Sequence, residues 1–240
     1  MADSHAENLY YHYFFELPDG RKQDFRVELD GNDLSLVSPK PGEAQPWADL
    51  DYNQCPNCPL SKSEYEHCPV ALNLTSIVDF FGAFFSYEKA LVTVQTESRA
   101  YTKEGPLQVA LSSLIGIVMV SSGCPVLDKL RPMVRLHLPF ATARENVIRV
   151  ISMYLLAQYF RKRQNQKPNW DISEIDKIYE EINKLDIAFT KRMASAFDAD
   201  ANVNAVVVLS CIAELTRHSL KSNLLDQIEG TFAPYLDQPI

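Results

Sequence analysis

Cys55-Pro56-Asn57-Cys58-Pro59, followed by Cys68-Pro69 and much later by Cys124-Pro125, is the stretch around which this chain is organised. Four of its five cysteines are followed directly by proline; the fifth, Cys211, is not. That sorts the cysteines into a set of four and an outsider. Four thiolates are a complete ligand set for zinc or for an iron–sulfur cluster. Cys55 and Cys58 share one tight turn, which supplies half of a tetrahedral site. The expectation is that Cys55, Cys58, Cys68 and Cys124 bind one metal ion in a structural role. Zinc comes first, being borderline-soft, redox-inert and satisfied by four sulfurs. An iron–sulfur cluster comes second, because the Cys-x-x-Cys-x-x-Cys run of bacterial ferredoxins is absent. The competing readings are ordinary reduced thiols at loop prolines, or a redox pair at Cys55 and Cys58. His67 and His137 are possible substitutes for one thiolate, His137 only if residues 131–139 fold toward the cysteines. Cys211 stands four residues from both Val207 and Leu215 and reads as a core thiol.

Working outward, the residues before this stretch read as β structure. Leu9 to Leu17 alternates, with Tyr11, Tyr13, Phe15 and Leu17 on one face. Pro18-Asp19-Gly20 is a turn signal, and Phe25, Val27 and Leu29 form a second alternating strand. Asp30 to Asp33 is another turn, leading to Leu34 and Leu36 as a third strand. Residues 38–54, with Pro39, Pro41, Gly42 and Pro46, read as a linker. After the cysteines the pattern turns mostly helical. Pro69 opens a helix reaching about Phe85. Residues 90–102 look extended. Pro106 opens a helix over 107–121 that is apolar nearly all round and therefore central, and Gly123 ends it. A short helix follows over 126–130. Thr142-Ala143-Arg144-Glu145 is a capping box for a helix running to about Arg163. Two further long helices begin near Asp171 and Val203, and a shorter one spans Leu224 to Phe232. The fold class expected is α+β: a small N-terminal antiparallel meander, residues 1–50, on a predominantly helical body, residues 51–240.

Hydrophobic residues make up 46% of the chain, enough for a real core, and the net charge is −8. An acidic balance argues against non-specific binding to nucleic acid or to an anionic membrane surface. Met1 to Asn8 has neither the basic nor the apolar segment of a signal peptide. The longest apolar run, Leu107 to Val120, is too short to span a bilayer. A cytoplasmic location is expected, where thiols stay reduced.

A second candidate site is basic. Lys129, Arg131, Arg135, His137, Arg144 and Arg149 gather in an otherwise acidic chain, beside the helix start at Thr142. Arg131, Arg135 and Arg144 would converge there on a phosphate- or carboxylate-bearing ligand. The plainer reading is a set of surface ion pairs. Glu214 and His218 share one helix face, where an ion pair is the commoner meaning. A glycine-rich phosphate loop, a nucleophile elbow and a zinc-protease helix are all missing.

Cys55-Pro-Asn-Cys-Pro-Leu60, Cys68-Pro-Val-Ala71, Ser112-Ser-Leu-Ile-Gly116, Ser122-Gly-Cys-Pro125 and His137-Leu-Pro-Phe140 resemble a family of uncharacterised bacterial proteins. The resemblance covers most of the chain after residue 9. It implies a bacterial cytosolic protein and treats the four Cys-Pro pairs as one site, but it carries no activity. The leading expectation is a metal-stabilised binding or regulatory protein whose partner is another protein or a small anionic ligand. The alternatives are an iron–sulfur or thiol redox protein using the same cysteines, and an enzyme or sensor for an anionic small molecule at the arginines.

Overall fold

The computed structural model describes residues 6–37, 44–197, 199–221 and 225–236. The first part of the expected linker, residues 38–43, lies outside the described residues. The fold is α+β, as the sequence patterns require. Strands β1 (Leu9–Glu16), β2 (Lys22–Leu29), β3 (Lys89–Gln95) and β4 (Ala100–Pro106) form one antiparallel sheet in the order β2-β1-β3-β4.

The meander is completed differently from the expectation. Leu36 makes only an isolated bridge to Leu29, and the strand on the far side of β1 is β3, from beyond the cysteines. Two alternating residues are too few to cover the aromatic face of β1, whereas β3 supplies Val92 and Val94 opposite Phe15 and Tyr13. Tyr11, Tyr13 and Phe15 are buried with Val27 and Leu29 of β2. β4 is one of the two edge strands, largely exposed and carrying Lys103 and Glu104, charges that discourage further strand pairing.

The helices are α1 (Pro69–Phe81), α2 (Leu107–Ser121), α3 (Ala143–Arg163), α4 (Glu174–Ala194) and α5 (Ala201–Lys221). The helix expected at 126–130 is instead a 3-10 stretch over Asp128–Leu136, tightened around Pro132. The last expected helix is broken into short turns over residues 226–236. α2 is central, with Leu107, Leu111, Leu114 and Ile115 fully buried. Gly123, at φ +80°, reverses the chain directly after α2 and delivers Cys124 back toward the core. At Gly116 an added Cβ would come within 3.2 Å of Leu209, so the α2–α5 crossing depends on the missing side chain.

The capping box forms as expected. Thr142 Oγ1 accepts from the Glu145 amide, and the Glu145 carboxylate accepts from the Thr142 amide. α5 is long and apolar enough to cross a membrane by length and hydropathy alone, and it packs here against α2 and α4.

Candidate metal centre and the buried polar groups on α4

The cysteine loop is closed before it is filled. Asp49 and His67 form an antiparallel bridge, the Cys68 amide donates to Ala48 O at 2.8 Å, and the Leu50 amide donates to Glu66 O at 3.0 Å. Within the loop, the Cys58 amide donates to Cys55 O at 3.0 Å, closing a turn with Pro56 at its first corner, a position that proline pre-sets.

The two other Cys-Pro pairs share a different logic. Cys68 is the N-cap of α1 with Pro69 at the first helical position, and Cys124 and Pro125 start the turn that leads into the 3-10 stretch. Proline there gives up an N–H that would have no helical partner. The next amides point back at sulfur: Val70 and Ala71 at Cys68, Val126 and Leu127 at Cys124. Paired N–H donors to a sulfur are a recurrent means of stabilising a metal thiolate.

The loop lies along one face of α4. Asn57 Nδ2 donates to the Glu181 backbone oxygen at 2.9 Å and to its carboxylate at 2.9 Å. The Cys55 thiol faces Leu185 O at 4.0 Å, and the Tyr52 hydroxyl donates to Ser195 O at 3.1 Å. Between them Arg192, 1% exposed, donates to Trp47 O and Asp49 O at 2.6 Å each and to Leu50 O at 3.1 Å. A buried guanidinium thus terminates the loop's otherwise orphaned carbonyls.

The four expected cysteines lie near enough to act on one another electrostatically. Burial pushes the Cys55 thiol up to about 12, and Cys68, Cys124 and Cys58 add to the rise while Arg192 opposes it. Cys68 and Cys124 are also raised by burial, Cys124 to about 11, and each is raised further by neighbouring thiols of the set. All are free thiols. They are neighbours and not yet a closed shell: among the described residues, no three His, Cys, Asp or Glu side chains stand spaced to hold a metal ion. Their chemistry fits a soft or borderline cation, with sulfur donors, amides aimed at two sulfurs and a buried positive charge alongside.

Cys211 is not the core thiol expected. It is exposed on α5, and Val207 and Leu215 are 37% and 48% exposed. The three define a stripe that faces outward, because α4 and α2 cover other faces of α5. His67 pairs with Asp49 at 3.1 Å.

His137 is drawn toward the sheet, with its Nε2 2.7 Å from the Tyr13 hydroxyl and 3.2 Å from Ser113 Oγ. Burial, helped by Arg149, lowers it to about 3, while burial raises Tyr13. The ring is therefore neutral, with its Nε2 engaged in a hydrogen bond with the Tyr13 hydroxyl. A nitrogen so occupied is a weak base toward Ser113, so the contact reads as a link between β1, α2 and the 3-10 stretch.

The arginines have separate surroundings. Arg131 pairs with Asp128, Arg135 donates to Gly31 O at 2.5 Å, and Arg144 is exposed on the first turn of α3. The amide at that helix start is already taken by Glu145. The residue that joins Arg135 is Arg149: both act on Tyr11 and border one groove with His137.

Two further buried groups matter. Arg192 and Asp186 lie on the apolar stripe of α4 that Ile182, Leu185 and Phe189 define. Charges at core positions of an amphipathic helix were the available signal. Asp186 is 3% exposed, and burial alone raises it to about 8. It borders a partly open cavity of about 220 Å³ lined by α2, the 3-10 stretch, α3, α4 and α5.

The sequence profile of a domain of unknown function, DUF6901, matches residues 9–233, so the chain belongs to that family. No curated protein and no solved structure matches it.

Proposed function

Membership in a family without an assigned activity leaves the site to speak, and we propose that Cys55, Cys58, Cys68 and Cys124 bind one zinc ion as a structural clip. The clip would join the loop of residues 44–68 to the end of α2, within a protein whose role is binding or regulation. The observation that carries this reading is that the Cys55 thiol feels Cys58, Cys68 and Cys124, drawn from two distant segments, while Cys211 stands apart and exposed. The amides aimed at Cys68 and Cys124 and the buried Arg192 support it, since four thiolates with a divalent cation leave a net negative site. Free thiols of this kind suit a reducing compartment such as the cytoplasm. Zinc is preferred to an iron–sulfur cluster because the chain separates Cys68 and Cys124 widely, as structural zinc sites allow. A thiol redox role is less favoured, because thiols pushed up by burial are poor nucleophiles.

Metal analysis with an absorption spectrum of the native protein tests this. The expected result is one zinc per chain and no visible colour, lost in Cys124→Ala and kept in Cys211→Ala. A brown, iron-containing protein would move the assignment to a cluster, and stoichiometric absence of any metal would end it.

A further inference from the structure

The cavity bounded by α2, α4 and α5 has walls that are mostly aliphatic, including Ile117, Leu209 and Ile212. Its polar side chains are nearly all engaged. Ser112 donates to Val109 O at 2.9 Å, Ser113 meets His137, Asn146 accepts from Arg149 at 2.9 Å, and the Tyr179 hydroxyl donates to Met133 Sδ at 3.9 Å. The exceptions are Arg149 Nε, which has no partner, and the Asp186 carboxyl, 3% exposed, which makes no hydrogen bond or ion pair among the described residues. A carboxyl buried among apolar walls without a partner costs free energy on folding, and such groups concentrate where a ligand completes them.

We propose that this cavity binds a small primary amine with an apolar body, its ammonium group received by Asp186. Size, walls and charge each narrow the choice. A cavity of about 150 Å³ suffices for benzene, so about 220 Å³ holds a ring with a short substituent. The walls favour an apolar body. An anion would be repelled by a carboxylate, and a wholly apolar guest would leave it orphaned.

The cationic groups nearby do not compete. Arg149 on α3 acts on Tyr179, whereas no charged side chain acts on Asp186. Tyr179, on the same helix, feels both Arg149 and Asp186. His137, which also lines the cavity, is neutral. The raised proton affinity of Asp186 is what an unpaired acid in this position shows, and an ammonium partner would bring it down.

The test uses benzylamine, benzyl alcohol and benzoate as probes on the full chain, followed by calorimetry and thermal shift. It is independent of the metal assignment, because the cavity contains none of the cysteines. Benzylamine should bind saturably and raise the melting temperature. Benzyl alcohol and benzoate should bind about tenfold more weakly or worse, as expected for loss of a charge-assisted contact. Asp186→Asn should keep the fold and abolish the preference for the amine. Three results would overturn the proposal: no saturable benzylamine binding to wild type, equal binding of the three probes, or an amine preference that survives in Asp186→Asn.

Discussion

Arg192 and Asp186 sit on the same face of α4, both almost sealed from solvent, yet one is surrounded by partners and the other by aliphatic walls. Arg192 donates to the carbonyls of Trp47, Asp49 and Leu50, and lies close enough to Cys55 and Cys68 to favour their thiolates. Asp186 faces a cavity, and burial alone governs its proton affinity. The contrast separates two uses of a buried charge. Beside the cysteines it organises a loop that has no regular structure of its own. In the cavity it holds a capacity in reserve, at a cost in stability that a guest would offset.

The cysteine side of this comparison can be broken most severely. Chelation of the metal, or Cys124→Ala, should remove on the order of 5 kcal/mol of stability, since metal-binding energy is folding energy. Thermal unfolding with parallel metal analysis reads it.

Next comes Arg192→Met, which strips three buried carbonyls of their donor while keeping most of the side chain's bulk. A loss of about 3–4 kcal/mol in urea unfolding is expected. A loss below about 1 kcal/mol would mean that water replaces the guanidinium.

On the cavity side the sign reverses. Asp186 has a folded-state value near 8, raised from its ordinary one, so its protonated form stabilises the fold fully at low pH. That contribution is lost progressively as pH rises from about 4, the unfolded value, to 8, and stays lost above it. Asp186→Asn should therefore match wild type near pH 4 and exceed it by about 2 kcal/mol at pH 8, measured by denaturation across that range. His137, lowered to about 3, acts in the opposite direction: the unfolded chain takes up its proton as pH falls from about 6.5, so acid destabilises the fold there. An Asp186→Asn variant as pH-sensitive as wild type between pH 4 and 8 would refute the orphaned carboxyl.

The smallest effect belongs to Cys211→Ala, within about 0.5 kcal/mol because the residue is exposed. If Cys124→Ala proved equally mild, the division of the cysteines into four and one would fail.

Local chemistry was legible from the chain alone. The alternation of β1, the capping box at Thr142 and Glu145, the proline starts of α1 and α2 and the glycine after α2 are all decided within a few residues, by dihedral preference and nearby hydrogen bonds. The grouping of the Cys-Pro pairs belongs here too, because proline's missing N–H explains two of them from sequence position. Tertiary structure decided what depends on partners far along the chain. It gave β1 its neighbour β3, since strand pairing is settled by which apolar faces meet. It turned Cys211 outward and His137 away from the cysteines and toward Tyr13. It gave Arg131 an acid and Arg135 a carbonyl, and left Arg144 exposed at the start of α3. Above all it assigned Arg192 and Asp186 their roles. Helical periodicity places both on the buried face of α4, but only the packing of a loop on one and of a cavity on the other distinguishes a satisfied charge from an unsatisfied one.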